Sequence, residues 1–217
     1  MFDNTAFKTA QENMLYDAKY CHDLSQNQDA LFFRFYPWQS IGLTQSEKRA
    51  IPKDLGSFEH AFRLTGGGLV FHCPGDIVFS HVAPIKHPLL PHKLKERCYW
   101  MANTIKKGLH SVGIHVQLAG ERRVNHTSDS IMFCNTYHNP YECLLNNDKI
   151  CGLALKKTRS TILFQGSIHL QNTQKWFPEL KERYGSYFTK GCSTISLPPT
   201  KEIITAIQIE IKKALTQ

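Results

Sequence analysis

No run of about 18 apolar residues occurs in the chain, so no segment is suited to crossing a bilayer as a helix, and no membrane partner is expected. The opening residues MFDNTAFKTAQENM carry Asp3 and polar side chains where a secretory signal needs an apolar core, which points to the cytoplasm. Cys-x-x-Cys pairs are absent, and the seven cysteines follow no regular spacing. That excludes a disulfide-stapled scaffold, matches no familiar zinc site, and leaves no metal expected at these residues. Acidic residues are scarce: 18 Asp and Glu stand against 26 Lys and Arg, for a net charge of +8. The basic excess is spread over Lys93–Arg97, Lys106–Lys107, Arg122–Arg123 and Lys156–Arg159. Without a basic helix or an aromatic-basic ribbon, nucleic acid is not the expected partner; an anionic nucleotide or an acidic protein is. Linkers, internal repeats and low-complexity tracts are missing too, so the 217 residues read as one domain, 1–217.

What is present alternates between helical and strand periods. Phe7, Ala10, Met14, Leu15 and Ala18 predict an amphipathic helix after Asn4. Leu31–Tyr36 reads as a strand closed by Pro37, with Ser40–Leu43 resuming it. The segment Phe62–His72 and the β-prone Ile77–Val82 follow, separated by a Pro-Gly turn at Cys73–Asp76. Leu94, Cys98, Met101, Ile105 and Leu109 predict a second helix ending before Gly113. Short strands are expected at His115–Leu118, Glu142–Leu145, Ile150–Leu155 and Thr161–His169, and a last helix carries Ile203, Ile207, Ile211 and Leu215. The strand connections are too short for repeated βαβ units. The expected class is therefore α/β of the α+β type, with a mixed, largely antiparallel sheet flanked by helices.

Two local signals carry chemistry. The first is Arg63-Leu64-Thr65-Gly66-Gly67-Gly68, between two β-prone runs. Consecutive glycines cost backbone entropy, and they let the main chain approach a ligand and present N–H groups to an anion. Arg63 adds a fixed charge suited to a carboxylate or phosphate; the alternative is a flexible hairpin tip. The second is Lys149 entering an apolar strand with Gly152 and Ala154, either projecting into a cleft or standing at a strand edge in water.

Together these segments resemble the catalytic domain shared by lipoate–protein ligases, octanoyltransferases and biotin–protein ligases, most closely the lipoate branch. The matching stretches are QENMLYDA with Asp17, FRFYPWQSIGLTQ (33–45), RLTGGGLVFH (63–72), GDIVFS (75–80), DKICGLAL (148–155) and LFQGSI (163–168). The resemblance implies a fold of the class II synthetase/biotin-ligase type. It implies substrate-binding roles for Arg63, Thr65, Gly66, Gly67, Gly68, His72, Gly152, Ala154 and Gly166, and a catalytic Lys149. The implied reaction activates lipoate or octanoate with ATP and Mg2+ as an acyl-adenylate. It then acylates a lysine of a lipoyl-domain protein, such as a dehydrogenase E2 subunit or the glycine cleavage H protein.

This sequence departs from the family pattern at several places. Phe62 replaces an arginine, Cys73 an aspartate and Gln165 a histidine, and no C-terminal accessory domain follows the last helix, so a separate accessory subunit is one expected partner. A non-catalytic acyl-binding relative is therefore an alternative. The other alternative is the cysteine-dependent octanoyltransferase branch, which Cys134 resembles in lying fifteen residues before Lys149 with Tyr141 and Glu142 between. That resemblance implies a nucleophile, its thiolate favoured by a nearby Lys149, which takes the acyl group from acyl carrier protein as a thioester without ATP; on residue type alone Cys134 reads as an inert buried cysteine. Gly68 stands where that branch usually has arginine.

Overall fold

The computed structural model describes residues 1–24, 29–120, 133–134 and 139–216. Its centre is β6 (Ile77–Pro84), buried along its whole length because Ile, Val and Phe occupy both faces of the strand. Antiparallel neighbours flank it: β2 (Phe32–Pro37) on one side and β10 (Thr161–Ile168) on the other. β1 (Phe2–Asp3), β7 (Gln117–Leu118), β8 (Cys143–Leu145) and β9 (Asp148–Lys157) complete a seven-stranded sheet in the order β1-β2-β6-β10-β9-β8-β7. Only the β1–β2 pair is parallel, so the expected mixed, largely antiparallel sheet is what forms. No helix among the described residues is long and apolar enough to cross a membrane.

Alternation along the strands sends two residue sets to opposite faces. Phe33, Phe35, Ile77, Phe79 and Ile168 pack under α2 (Leu94–Ser111) and α3 (Thr200–Leu215). These helices approach closely at Gly108, where a β-carbon would stand 2.6 Å from the Cα of Ile207. The other face, with Tyr36 and Val78, packs against α1 (Ala10–Asp23) and Ala61 of a second, smaller sheet.

That second sheet corrects the sequence reading. Ser40–Leu43 does not resume the first strand. After Pro37 the chain leaves β2, with the Trp38 N–H donating to the Asp76 carbonyl (2.7 Å), and β3 (Gly42–Ser46) starts a separate sheet. Nor is Phe62–His72 one segment. β4 (Glu59–Arg63) pairs with β3 in parallel and β5 (Val70–His72) pairs with it antiparallel, in the order β4-β3-β5. The glycine loop therefore crosses from one edge strand to the other, and puts Arg63 and His72 on either side of Thr44.

The helix α1 also differs from its predicted face. It starts at Ala10 behind a Thr9 cap, whose hydroxyl accepts the Glu12 N–H while Glu12 reaches back to the Thr9 N–H. Phe7 precedes it and Leu15 is 59% exposed. The buried stripe is Ala10, Asn13, Met14, Asp17 and Cys21. Polar residues sit inward because Arg34 is buried beneath them. Its guanidinium donates to Asp17 (2.8 Å) and Asn13 (2.5 Å) and lies 3.8 Å from the centroid of Tyr36.

Candidate active site

Between the two sheets, β9 delivers Lys149. The β8–β9 hairpin closes through Asn146 and Asn147, whose φ values of 50° and 69° suit a two-residue turn that asparagine tolerates. A register shift at Cys143/Leu144 places Lys149 opposite Leu144 and lets Glu142 turn toward it. The Lys149 ammonium donates to Glu142 Oε1 at 2.6 Å and also to the Cys134 carbonyl oxygen. Both side chains are buried, and burial pushes the Glu142 carboxyl up to about 7 against the pull of Lys149. Asn139 adds to that pull, its backbone N–H donating to Oε2 and its side-chain amide to Oε1, both at 3.0 Å. The structure places Lys149 buried at the cavity and not at a strand edge in water.

Cys134 stands between Lys149 and the glycine loop. Its N–H donates to the Leu69 carbonyl (2.9 Å), and Phe133 before it stacks on Tyr187 and packs with Phe71. Its sulfur accepts the Gly68 N–H at 2.9 Å and lies 3.9 Å from an Arg63 guanidinium nitrogen. It is the one cysteine among those described that is not fully buried. Arg63 is turned inward. It donates to the carbonyls of Gly66 (3.1 Å) and Gly68 (2.6 Å) and to the Thr44 hydroxyl (3.3 Å), so it shapes the loop as much as it charges the cavity. Burial lowers its pKa, and the Cys134 sulfur opposes that shift.

The other predicted positions divide by what their geometry requires. Gly67 has φ +99°, and a β-carbon there would meet the Cys134 sulfur at 2.9 Å and Arg63 at 3.1 Å. Gly66 has open space where its side chain would be. Gly152 leaves room for Lys149, whose Cε would be 2.8 Å from an added β-carbon, and Ala154 borders the same cavity. Gly166 also borders it by its backbone, yet its missing β-carbon answers to the Phe79 ring and the Gly152 carbonyl, so packing between strands demands that glycine. His72 bonds Thr44 through Nε2 (2.8 Å) and stacks on Trp38; burial holds it well below the ordinary histidine pKa, hence neutral. The Thr65 hydroxyl donates to Gln165 of the cavity wall (3.0 Å), whose amide donates to Asp17 at 2.8 Å. The replaced histidine thus leaves a hydrogen-bonded tie from the loop to the Asp17–Arg34 pair.

Several residues here escaped the sequence reading: Glu142 as the Lys149 partner, Thr44, and the set Asp76, Ser167 and His169. A signal existed for the last two. Gln165, Ser167 and His169 alternate as polar residues along an otherwise apolar strand, which marks a polar cavity on one face. Arg122–Arg123, noted for charge, lie outside the described residues.

The Gly67 geometry makes a first prediction. Gly67→Ala should lower acyl transfer at least tenfold, because a β-carbon displaces the sulfur and the backbone leaves a conformation that glycine alone takes easily. Gly66→Ala, with free space, should stay within about twofold. Equal losses in the two variants, measured as initial rates, would remove Gly67 from the site.

The Cys134 sulfur, the buried Lys149 ammonium and the Gly68 N–H meet at one cavity, an arrangement chemically able to hold a carbonyl while charge develops on its oxygen. The family is shown directly. Residues 9–208 match the family model for the lipoyl protein ligase A/B catalytic domain, and the chain belongs to that family. It is 27% identical to octanoyltransferase LipM of Macrococcus caseolyticus, over 97% of this chain and 82% of that protein. It is 28% identical to LipM of Carboxydothermus hydrogenoformans, over 98% and 81%. The fold is similar to that of a bi-partite lipoate protein ligase, solved in work on its E2 lipoyl domain from Thermoplasma acidophilum. That likeness has a TM-score of 0.66 and 15% identity, over 99% of this chain and 83% of that one.

Proposed function

We propose that this chain is a cysteine-dependent octanoyltransferase, which passes an acyl group from an acyl carrier thioester to a lysine of a lipoyl-domain protein. The observation that carries this reading is the position of the Cys134 sulfur, against the Gly68 N–H at 2.9 Å, with Arg63 beside it and Lys149 bonded to the same residue. Oriented N–H groups and cations favour a thiolate, which is the attacking form. The likeness to the two LipM proteins supports the same choice.

In the first step the Cys134 thiolate attacks the thioester carbonyl while Lys149 faces the oxygen where charge builds; the carrier's C–S bond breaks and the carrier leaves as its thiolate. In the second, the acceptor amine attacks the acyl-cysteine and the sulfur leaves. An adenylate-forming ligase using ATP and Mg2+ fits the cavity less well. The Arg63 guanidinium, the charge that would meet a phosphate, is already taken up by the carbonyls of Gly66 and Gly68. Gly68, where the transferase branch usually has arginine, is the observation on the ligase side. The net charge of +8 suits acidic acceptors and an acidic carrier, which it would steer into encounter.

The test offers an apo lipoyl domain two donors in parallel: octanoyl carrier protein without ATP, and lipoate with MgATP. Octanoylated acceptor from the first donor is the expected product. Product from the MgATP arm alone would return the chain to the ligase reading. Ligand binding with no product from either donor would make it a non-catalytic relative.

A further inference from the structure

On the wall of the same cavity, Ser167, His169 and Asp76 form a chain that neither half of the proposed reaction has yet used. His169 Nδ1 lies 3.3 Å from Asp76 Oδ2, and His169 Nε2 lies 3.1 Å from the Ser167 hydroxyl. All three side chains are buried. Asp76 is an acceptor throughout: Oδ1 takes the N–H groups of Leu170 (2.7 Å) and Gln171 (3.0 Å), and Oδ2 takes that of Cys73 (3.0 Å). An acceptor at Oδ2 requires the proton on Nδ1 of His169, which leaves Nε2 to accept from Ser167. The serine hydroxyl is thus aimed at a base whose tautomer is set from behind, the same logic that orients a base in nucleophilic triads.

The sheet puts Ser167 next to the ammonium. Ser167 pairs directly with Gly152 across β10 and β9, and directly opposed residues share a face about 4.5–5.5 Å apart. A β-carbon on Gly152 would stand 2.8 Å from Lys149 Cε and 3.1 Å from Nζ. Ser167 and His169 therefore line the cavity on the Lys149 side. Among the described residues Lys149 donates to Glu142 and to the Cys134 carbonyl, which holds its ammonium against fixed acceptors. Ser167 and His169 stand beside it as a hydroxyl and an imidazole able to pass on the proton of amide formation.

We propose that Ser167 and His169, backed by Asp76, relay the proton released when the acceptor amine attacks acyl-Cys134; the inference rests on the transferase reading above. The amine nitrogen bonds to the carbonyl carbon, the C–S bond breaks, and sulfur leaves with the electron pair as thiolate. The amine proton passes to Ser167 Oγ as the serine proton passes to His169 Nε2. Return of that proton to sulfur restores the thiol and the neutral imidazole, so the step needs no further reactant. Ser167 and His169 are catalytic residues in this scheme, and Asp76 is a positioning residue.

The groups around His169 that bear on its charge are Asp76 and Cys73, His72 at 6.3 Å between ring centroids, Arg63 beyond it, Lys149 and Glu142 on the hairpin, and Cys192. The experiment prepares octanoyl-enzyme with excess octanoyl carrier protein, adds apo lipoyl domain, and follows single-turnover transfer across pH 6–10. His169→Gln should slow this step about a hundredfold near neutrality, the usual worth of a general base. The deficit should shrink as pH rises and hydroxide takes the amine proton in place of the relay. Ser167→Ala, a change too small to endanger the fold, should show the same pH-dependent deficit. Wild-type rates in both variants, or a loss equal at every pH, would overturn the relay alone. A wild type that never forms the acyl-enzyme would overturn the transferase reading and the relay with it.

Discussion

Cys134→Ala is expected to reduce ATP-independent octanoyl transfer by about 10⁴-fold or more, the scale on which removing a covalent nucleophile acts. Intact-protein mass spectrometry of the wild type, after exposure to octanoyl carrier protein, should show one octanoyl adduct that neutral hydroxylamine removes. The adduct should be missing from Cys134→Ala. The chain has six other cysteines. All six are buried; burial pushes the thiols of Cys73, Cys98 and Cys192 up, and a hydrogen bond with Cys143, together with burial, pushes that of Cys151 up, which keeps them protonated and unreactive. Cys134 alone has a backbone N–H and a guanidinium turned to its sulfur. A change to alanine creates no large void at a half-buried position, so stability should hold. Transfer that survives in the alanine variant, with no adduct on the wild type, would leave Cys134 as a wall residue and require direct attack on an activated acyl donor.

Much of this site was legible in the sequence, and the illegible parts share a cause. Arg63, the triple glycine and Lys149 are costly or unusual where they stand, and such residues show in a linear reading. Cys134 was legible only as a question, because its meaning depends on the Gly68 N–H that the fold brings to it. Glu142 lies in plain view between Cys134 and Lys149, but a carboxylate in a short strand reads as solvated until a hairpin turn folds it onto a lysine. The predicted face of α1 failed for a related reason. A hydrophobic period assigns Asn13 and Asp17 outward, whereas a buried arginine from β2 draws them in. The second sheet was hidden because β3, β4 and β5 are three to five residues long. Their pairing, parallel on one side and antiparallel on the other, is set by contacts distant in sequence.

Lys149→Ala is expected to lower acyl transfer by about 10²–10³, equivalent to about 3–4 kcal/mol of lost transition-state stabilisation. Negative charge develops on the carbonyl oxygen in both the acylation and the amide-forming step. A buried ammonium fixed beside Cys134 meets that charge without having to reorganise. Lys149→Arg should recover little. A planar guanidinium is larger than the ammonium, and the wall offers only the space that Gly152 leaves for the lysine stem. Glu142→Gln separates position from charge: it keeps the size of the partner but removes the ion pair at 2.6 Å. If Glu142 serves to hold Lys149 in place, this variant should lose about tenfold in rate while losing little in acyl-donor affinity. The fold has to be followed in parallel, since removing one member of a buried pair leaves the other charge uncompensated and can cost about 3–5 kcal/mol. Lys149→Met, which fills the stem volume and carries no charge, supplies the control. A Lys149→Met protein that melts like the wild type and transfers octanoate at the wild-type rate would show that the ammonium is a structural partner of Glu142 and takes no part in the chemistry.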